Sequence, residues 1–226
     1  MANAIITGGS RGLGLALARR LSADGWGVVI DGRHADALQS AAAQLGPGPV
    51  EAVVGDVTDA RHRAALVEAA GRLGGLDLLV NNASTLGPTP LPPVAQLAPA
   101  ALGEIFTVNV LAPLALIQVA LPLLERSQGT IINVSSDAAV EGYEGWGGYG
   151  ASKAALEQLS RVLAVENPGV RVHWVDPGDM RTQMLQDAFP GEDISDRPLP
   201  EESVPGFLAL ITEPHRSGRY QLREVA

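Results

Sequence analysis

The run Ala4-Ile5-Ile6-Thr7-Gly8-Gly9-Ser10-Arg11-Gly12-Leu13-Gly14 sets a short apolar segment directly against a glycine-rich turn. From Leu13 the apolar residues fall at Leu13, Ala16, Leu17 and Leu21, the spacing of one helical face, and the pattern stops near Gly25. The order is strand, tight turn, helix. Such a turn leaves unpaired backbone N–H groups at the helix start free to point at a phosphate, and glycines stand where a Cβ would collide with it. The spacing is T-G-x-x-x-G-x-G, not the G-x-G-x-x-G of the dinucleotide fingerprint.

Outward from that turn the same alternation continues. Val28 to Ile30 reads as a second strand, Val50 to Val54 as a third and buried one, and Leu76 to Val80 as a fourth. Strands follow at 129 to 134, Gly169 to Val175 and Gly218 to Leu222. Between them lie helical faces: Leu66, Val67, Ala70 and Leu73; two helices over 99 to 111 and 113 to 126, with Pro113 in the first turn of the second; and a last helix from Glu201 to Ile211. Five prolines between Leu86 and Pro99 mark a loop.

Composition bounds what this pattern can be. With 226 residues, 46% hydrophobic and 18% charged, the chain has the size of one domain and the means to bury a core. No apolar run approaches the ~18 residues of a spanning helix, and no charged segment precedes an apolar one at the N-terminus, so a soluble, cytoplasmic protein is expected. There is no cysteine, and His34, His62, His173 and His215 lack metal-ligand spacing, so no metal site is expected. A net charge of −9 argues against nucleic acid or an anionic membrane as partner.

Chemistry enters at Tyr149-Gly150-Ala151-Ser152-Lys153, which sets a phenol and an ammonium four residues apart on one helical face. A phenol with a pKa near ~10 is a poor acid-base group at neutral pH, and a nearby cation favours its phenolate. Alone, the pair is two ordinary helix residues. In company with Thr7 to Gly14, Asn81-Asn82-Ala83, Asn109 and Ser135-Ser136, it resembles the short-chain dehydrogenase/reductase family, in order and at family spacing, from about Ala4 to about Thr182.

That resemblance implies a doubly wound, Rossmann-type parallel sheet of about seven strands with helices on both faces, one domain over 1–226 that binds a dinucleotide where the strand order reverses. It implies an oxidoreductase interconverting a carbonyl and an alcohol. Tyr149 would be the acid-base group, Lys153 would lower its pKa and hold the nicotinamide ribose, Ser136 would polarise the oxygen, with Ser135 as fallback, and Asn109 would support a proton relay. An amide that merely satisfies backbone at a helix bend is the other reading of Asn109.

For the cofactor, the resemblance assigns Gly8, Ser10, Arg11, Gly12, Leu13 and Gly14 to the phosphates, Asp56 and Val57 to the adenine edge, and Asn82, Ala83, Pro177, Gly178 and Thr182 to the remainder, beside Tyr149 and Lys153. Asp56 with Thr58 and Asp59 also reads as a helix-capping cluster. Asp31 would read a ribose hydroxyl, favouring NAD, but Gly32 occupies the family's acid position and Arg33 follows it; with Arg11 this makes NADP(H) the preferred cofactor and NAD(H) the alternative. Ser84 stands where the family usually has glycine.

Substrate loops are expected at about 84–99, 137–148 and 183–200, with Leu86, Tyr143, Trp146, Met184 and Phe189 as contacts for a small-molecule carbonyl or alcohol. The helix after Lys153 carries Ala155, Leu156, Leu159, Val162 and Leu163, more than one narrow stripe, so a homodimer or homotetramer is expected. Two other readings use the same residues: a non-catalytic NAD(P)-binding sensor, and an epimerase or dehydratase.

Overall fold

The computed structural model describes residues 1–222. Seven strands alternate with eight helices: β1 (Asn3–Ile6), α1 (Gly12–Ala23), β2 (Gly27–Gly32), α2 (Ala35–Ala42), β3 (Val50–Val54), α3 (Ala60–Arg72), β4 (Leu78–Asn81), α4 (Pro99–Phe106), α5 (Ala112–Ser127), β5 (Thr130–Val134), α6 (Gly147–Glu166), β6 (Arg171–Asp176), α7 (Gln183–Ala188), α8 (Pro200–Thr212) and β7 (Gly218–Gln221). They form one parallel sheet in the order β3-β2-β1-β4-β5-β6-β7. The order reverses between β1 and β4, which opens a crevice at their carboxyl ends.

The strands read as unbroken apolar runs because both faces of the sheet are covered. Alternate side chains go to opposite faces: Ala4, Ile6, Val28, Ile30, Leu78 and Val80 pack with α1, α2 and α8, while Ile5, Val29, Leu79 and Ile131 pack with α3 and α5. β3 departs from its expected burial. It is the outer strand, paired with β2 alone, and Val54 is 48% exposed.

A second departure concerns the stretch from Pro99 to Ser127, expected as two separate helices. α4 and α5 are continuous through a π-helical turn, Thr107–Leu111. Pro113 has no N–H to offer the carbonyl of Asn109 four residues earlier, and the widened turn absorbs that lost bond instead of ending the helix. The fused helix of 29 residues is by length and composition long and apolar enough to cross a membrane, contrary to the sequence expectation. Leu116, Ile117, Ala120 and Leu124 lay one side of it on the sheet.

One buried group sets an acid limit. His173, on β6, is fully buried, and neither ring nitrogen has a hydrogen-bond partner. Burial, with Arg171 and His215 adding to it, pushes the imidazole from its ordinary 6.5 down to about 4. The unfolded chain therefore takes up the proton first as pH falls, so the stability this group contributes is full above 6.5 and is lost as pH falls towards 4. Urea unfolding at pH 7 and pH 5 is expected to show about 2 kcal/mol of loss from His173, and His173→Leu is expected to lose that much less over the same interval.

Candidate active site

The glycine turn after β1 is built by close approach. Gly8 and Gly12 have φ of +68° and +55°, where a side chain is strained. A Cβ at Gly14 would lie 2.5 Å from the Gly8 carbonyl oxygen and 2.6 Å from Asn82 Nδ2. Asn82 is inserted there because its Nδ2 donates to the Thr7 carbonyl at 2.8 Å, and the Thr7 hydroxyl accepts the N–H groups of Asn82 and Ala83, both at 3.0 Å. The end of β4 is thus tied to the turn. No side chain caps the start of α1, and Arg11 beside it is exposed. Thr182 faces the turn, 3.6 Å from where a Gly12 Cβ would sit, and its hydroxyl accepts the Leu185 N–H at the start of α7.

Asp31 does not face the crevice. Two residues after Val29, it shares that strand face and points towards α3, 2% exposed. One carboxylate oxygen accepts the Gly8 N–H at 2.6 Å and the other meets His62 Nε2 at 2.9 Å. His62 in turn lies under Gly55, where a Cβ would run into its ring. Asp31 therefore braces the glycine turn from behind. Gly32 and the exposed Arg33 are what the strand end presents.

Of the two sequence readings of the cluster after β3, the structure displays the helix cap. Asp59 caps α3 by accepting the Arg61 N–H at 2.8 Å. Asp56 accepts the N–H and hydroxyl of Thr58; burial pushes its carboxyl up, but those two bonds and the nearby Arg33 bring the net value below the usual range.

Tyr149 and Lys153 lie on the inner face of α6, 8% and 2% exposed. The helix comes this close because residue 150 is glycine: a Cβ there would strike the Ala138 carbonyl. Lys153 Nζ donates to the Val134 carbonyl at 2.8 Å and stands 5.4 Å from the Tyr149 ring centre. Burial lowers the ammonium pKa to about 8. The phenol moves against the sequence expectation: burial first and then the charge of Asp176 push it well above its ordinary value, while bonds with the Ser84 and Ser136 hydroxyls pull the other way.

The two serines after β5 divide their work. Ser135 is 2% exposed and donates to Glu157 Oε1 at 2.6 Å, so it is no fallback for Ser136. Ser136 donates to Asp137 Oδ1 at 2.9 Å and lies beside Tyr149. Asn109 sits in the π-helical turn, 1% exposed. Its side-chain oxygen accepts the Thr85 N–H at 2.8 Å and the Ser84 hydroxyl at 3.1 Å; its nitrogen donates to the Thr85 carbonyl at 2.9 Å and to Ser152 Oγ at 3.0 Å. The side chain thus satisfies backbone at a helix bend and holds the loop after β4 against α6.

Around the Tyr149 ring, Leu86, Trp146, Met184 and Phe189 form an apolar cluster, with Leu91 and Ala188 added. Trp146 meets Tyr149 edge-on at 5.5 Å and Phe189 at 6.0 Å. Tyr143 is absent from the cluster: it is 43% exposed, and its hydroxyl donates to Asp137 and Glu141. An aromatic in a glycine-rich loop carries no signal for which way it turns. Ser84 was visible as a departure from the family pattern; its backbone is ordinary, since Gln128 is the only non-glycine at positive φ among the described residues.

A family model for short chain dehydrogenases matches residues 2–193. The chain belongs to that family. This dehydrogenase is 31% identical over 220 residues to an uncharacterized oxidoreductase of Escherichia coli K12, YciK, covering 94% of this chain and 86% of that one. It is 34% identical over 197 residues to sepiapterin reductase of Bos taurus, covering 80% of this chain and 74% of the relative. Among solved structures, an alcohol dehydrogenase of Thermococcus sibiricus complexed with 5-hydroxy-NADP superposes with a TM-score of 0.87 at 28% identity, over 98% of this chain and 95% of that one.

The brace behind the glycine turn generates a prediction. Asp31→Ala leaves the Gly8 N–H and the buried His62 without their partner, so urea unfolding is expected to show a loss on the order of 2 kcal/mol. Fluorescence titration is expected to show NADPH and NADH weakened by the same factor; a changed ratio would return Asp31 to the ribose.

Proposed function

We propose that this short-chain dehydrogenase interconverts a carbonyl and an alcohol with NADP(H) as preferred cofactor. The observation that carries the reading is the convergence of the Ser136 hydroxyl, the Tyr149 phenol and the buried Lys153 ammonium beside one apolar cluster, at the crevice end of the sheet.

The residues present fit a dinucleotide. The glycine turn is a cradle that a Cβ would fill, the α1 start is uncapped, and Arg11 and Arg33 are exposed cations beside it. NADP over NAD is favoured because Asp31 has both oxygens engaged and Gly32 offers no acid to a ribose 2′-hydroxyl, while a guanidinium pair suits a phosphate dianion. When bound, the dinucleotide supplies the hydride to the carbonyl carbon or takes it from the alcohol.

The chain's own groups do the rest. Ser136 and Tyr149 donate hydrogen bonds to the substrate oxygen as negative charge builds there, and Tyr149 then passes its proton to it. In the oxidative direction Tyr149 must act as a base, against the burial and the Asp176 charge that hold its proton. Lys153, as a cation one helical turn away, lowers that cost and would hold the nicotinamide ribose. Asn109 positions the loop that carries Ser84 beside the phenol. Leu86, Leu91, Trp146, Met184 and Phe189 favour an apolar or aromatic substrate. Exposed Val119, Leu159, Val162 and Val165 on α5 and α6 support a homo-oligomer, dimer or tetramer.

Tyr149→Phe is expected to abolish turnover of a ketone panel while leaving NADPH affinity within a few fold; retained turnover would remove the assigned chemistry. Arg33→Ala is expected to weaken NADPH about tenfold and NADH little, read by titration at one ionic strength.

A further inference from the structure

An enclosed charge cluster lies where the last strand passes the end of β5. Arg219, on β7, is paired through its backbone with β6 and reaches past that strand. Its Nε donates to Glu157 Oε1 at 3.0 Å, and a terminal nitrogen donates to the Ser136 backbone carbonyl at 3.2 Å. The same nitrogen stands 3.6 Å from Asp176 Oδ2. The side chains of Glu157 and Asp176 are 5% and 7% exposed, so two anions with little water share one guanidinium. Asp176 also accepts the Gly178 N–H, through Oδ1, at 3.0 Å.

This cluster adjoins the acid-base centre on two sides. Ser136, whose hydroxyl lies by the phenol, is held through its carbonyl by Arg219. The groups facing the Tyr149 phenol are Asp176 from the end of β6, Asp137 from the turn after β5, the hydroxyls of Ser84 and Ser136, and Lys153 on α6. After burial itself, Asp176 does most to hold the phenol proton, and Arg219 sets a guanidinium 3.6 Å from that carboxylate.

We propose that Arg219 is a positioning residue of the active site, which fixes the Ser136 backbone and screens the Asp176 carboxylate from the Tyr149 phenol. The final strand then tunes proton transfer without touching substrate. The proposal rests on Tyr149 being the acid-base group.

The test is the pH profile of NADP-linked alcohol oxidation in Arg219→Met, Arg219→Lys, Asp176→Asn and the double variant Asp176→Asn/Arg219→Met. In Arg219→Met the alkaline midpoint is expected to rise by about one pH unit and kcat to fall about tenfold, with the KM for NADP unchanged. The double variant is expected to return the midpoint to the wild-type value or below it. Arg219→Lys, which serves if the Met variant does not fold, keeps the charge but not the forked geometry; its midpoint is expected to stay and its kcat to fall a few fold. An unmoved midpoint in Arg219→Met alongside a lowered melting temperature, or an unaltered kcat in Arg219→Lys, would overturn the proposal.

If the wild-type protein turns over no alcohol or carbonyl compound, the proposed activity fails by itself. The network is then read from the 13Cζ resonance of Tyr149, assigned by Tyr149→Phe among the three tyrosines. That resonance is expected to shift in Arg219→Met and to return in the double variant. A resonance that does not shift overturns the role of Arg219.

Discussion

The seam between β5 and α6 is the contact on which the site depends. Three successive residues, the last two of β5 and the one after it, each bond to the helix: Asn133 Nδ2 to Ser160 Oγ at 2.8 Å, the Val134 carbonyl to Lys153 Nζ at 2.8 Å, and Ser135 Oγ to Glu157 Oε1 at 2.6 Å. On the helix the partners fall at 153, 157 and 160, one face by helical spacing. A buried polar group without a partner is destabilising, so these bonds allow only one register of helix against strand. Shift α6 by one residue and a lysine ammonium is left in apolar surroundings. Tyr149, one turn before Lys153, is held by the same constraint, and so is the distance from phenol to Ser136.

Polar groups at the nucleotide end follow a related logic. There the chain is brought together by what is missing, the Cβ atoms of Gly8 and Gly14, and then secured by Asn82 and Asp31. Both oxygens of Asp31 and the amide nitrogen of Asn82 are engaged within the chain. The turn is therefore shaped before anything binds, and binding need not supply the ordering entropy.

Much of this was legible in the residues. Strand positions followed from apolar runs, the glycine turn from its spacing, and the convergence of Ser136, Tyr149 and Lys153 from a family pattern spread over the chain. What was misread, and what was left open at Asp31, share a cause. β3 looks as apolar as the central strands, but which strand ends a sheet is decided by topology. Asp31 stands near the crevice in sequence, and its turning inward becomes visible only once His62, on another helix, is known to meet it. Pro113 signalled a break that a π-helical turn absorbed. Tyr143 was assigned to the substrate by residue type, where nearby carboxylates decided its direction.

The fused helix from Pro99 to Ser127 bears on how the chain is made. A run of that length and apolarity would be a liability in a nascent chain, open to aggregation or to membrane-targeting factors. The order of elements answers this. β1, β2 and β4 all precede it, so Ile5, Val29 and Leu79 can already be aligned as a surface when Leu116 and Ile117 leave the ribosome. Three of the strands that receive it are translated before it, and β5, which brings Ile131 to the same face, follows directly.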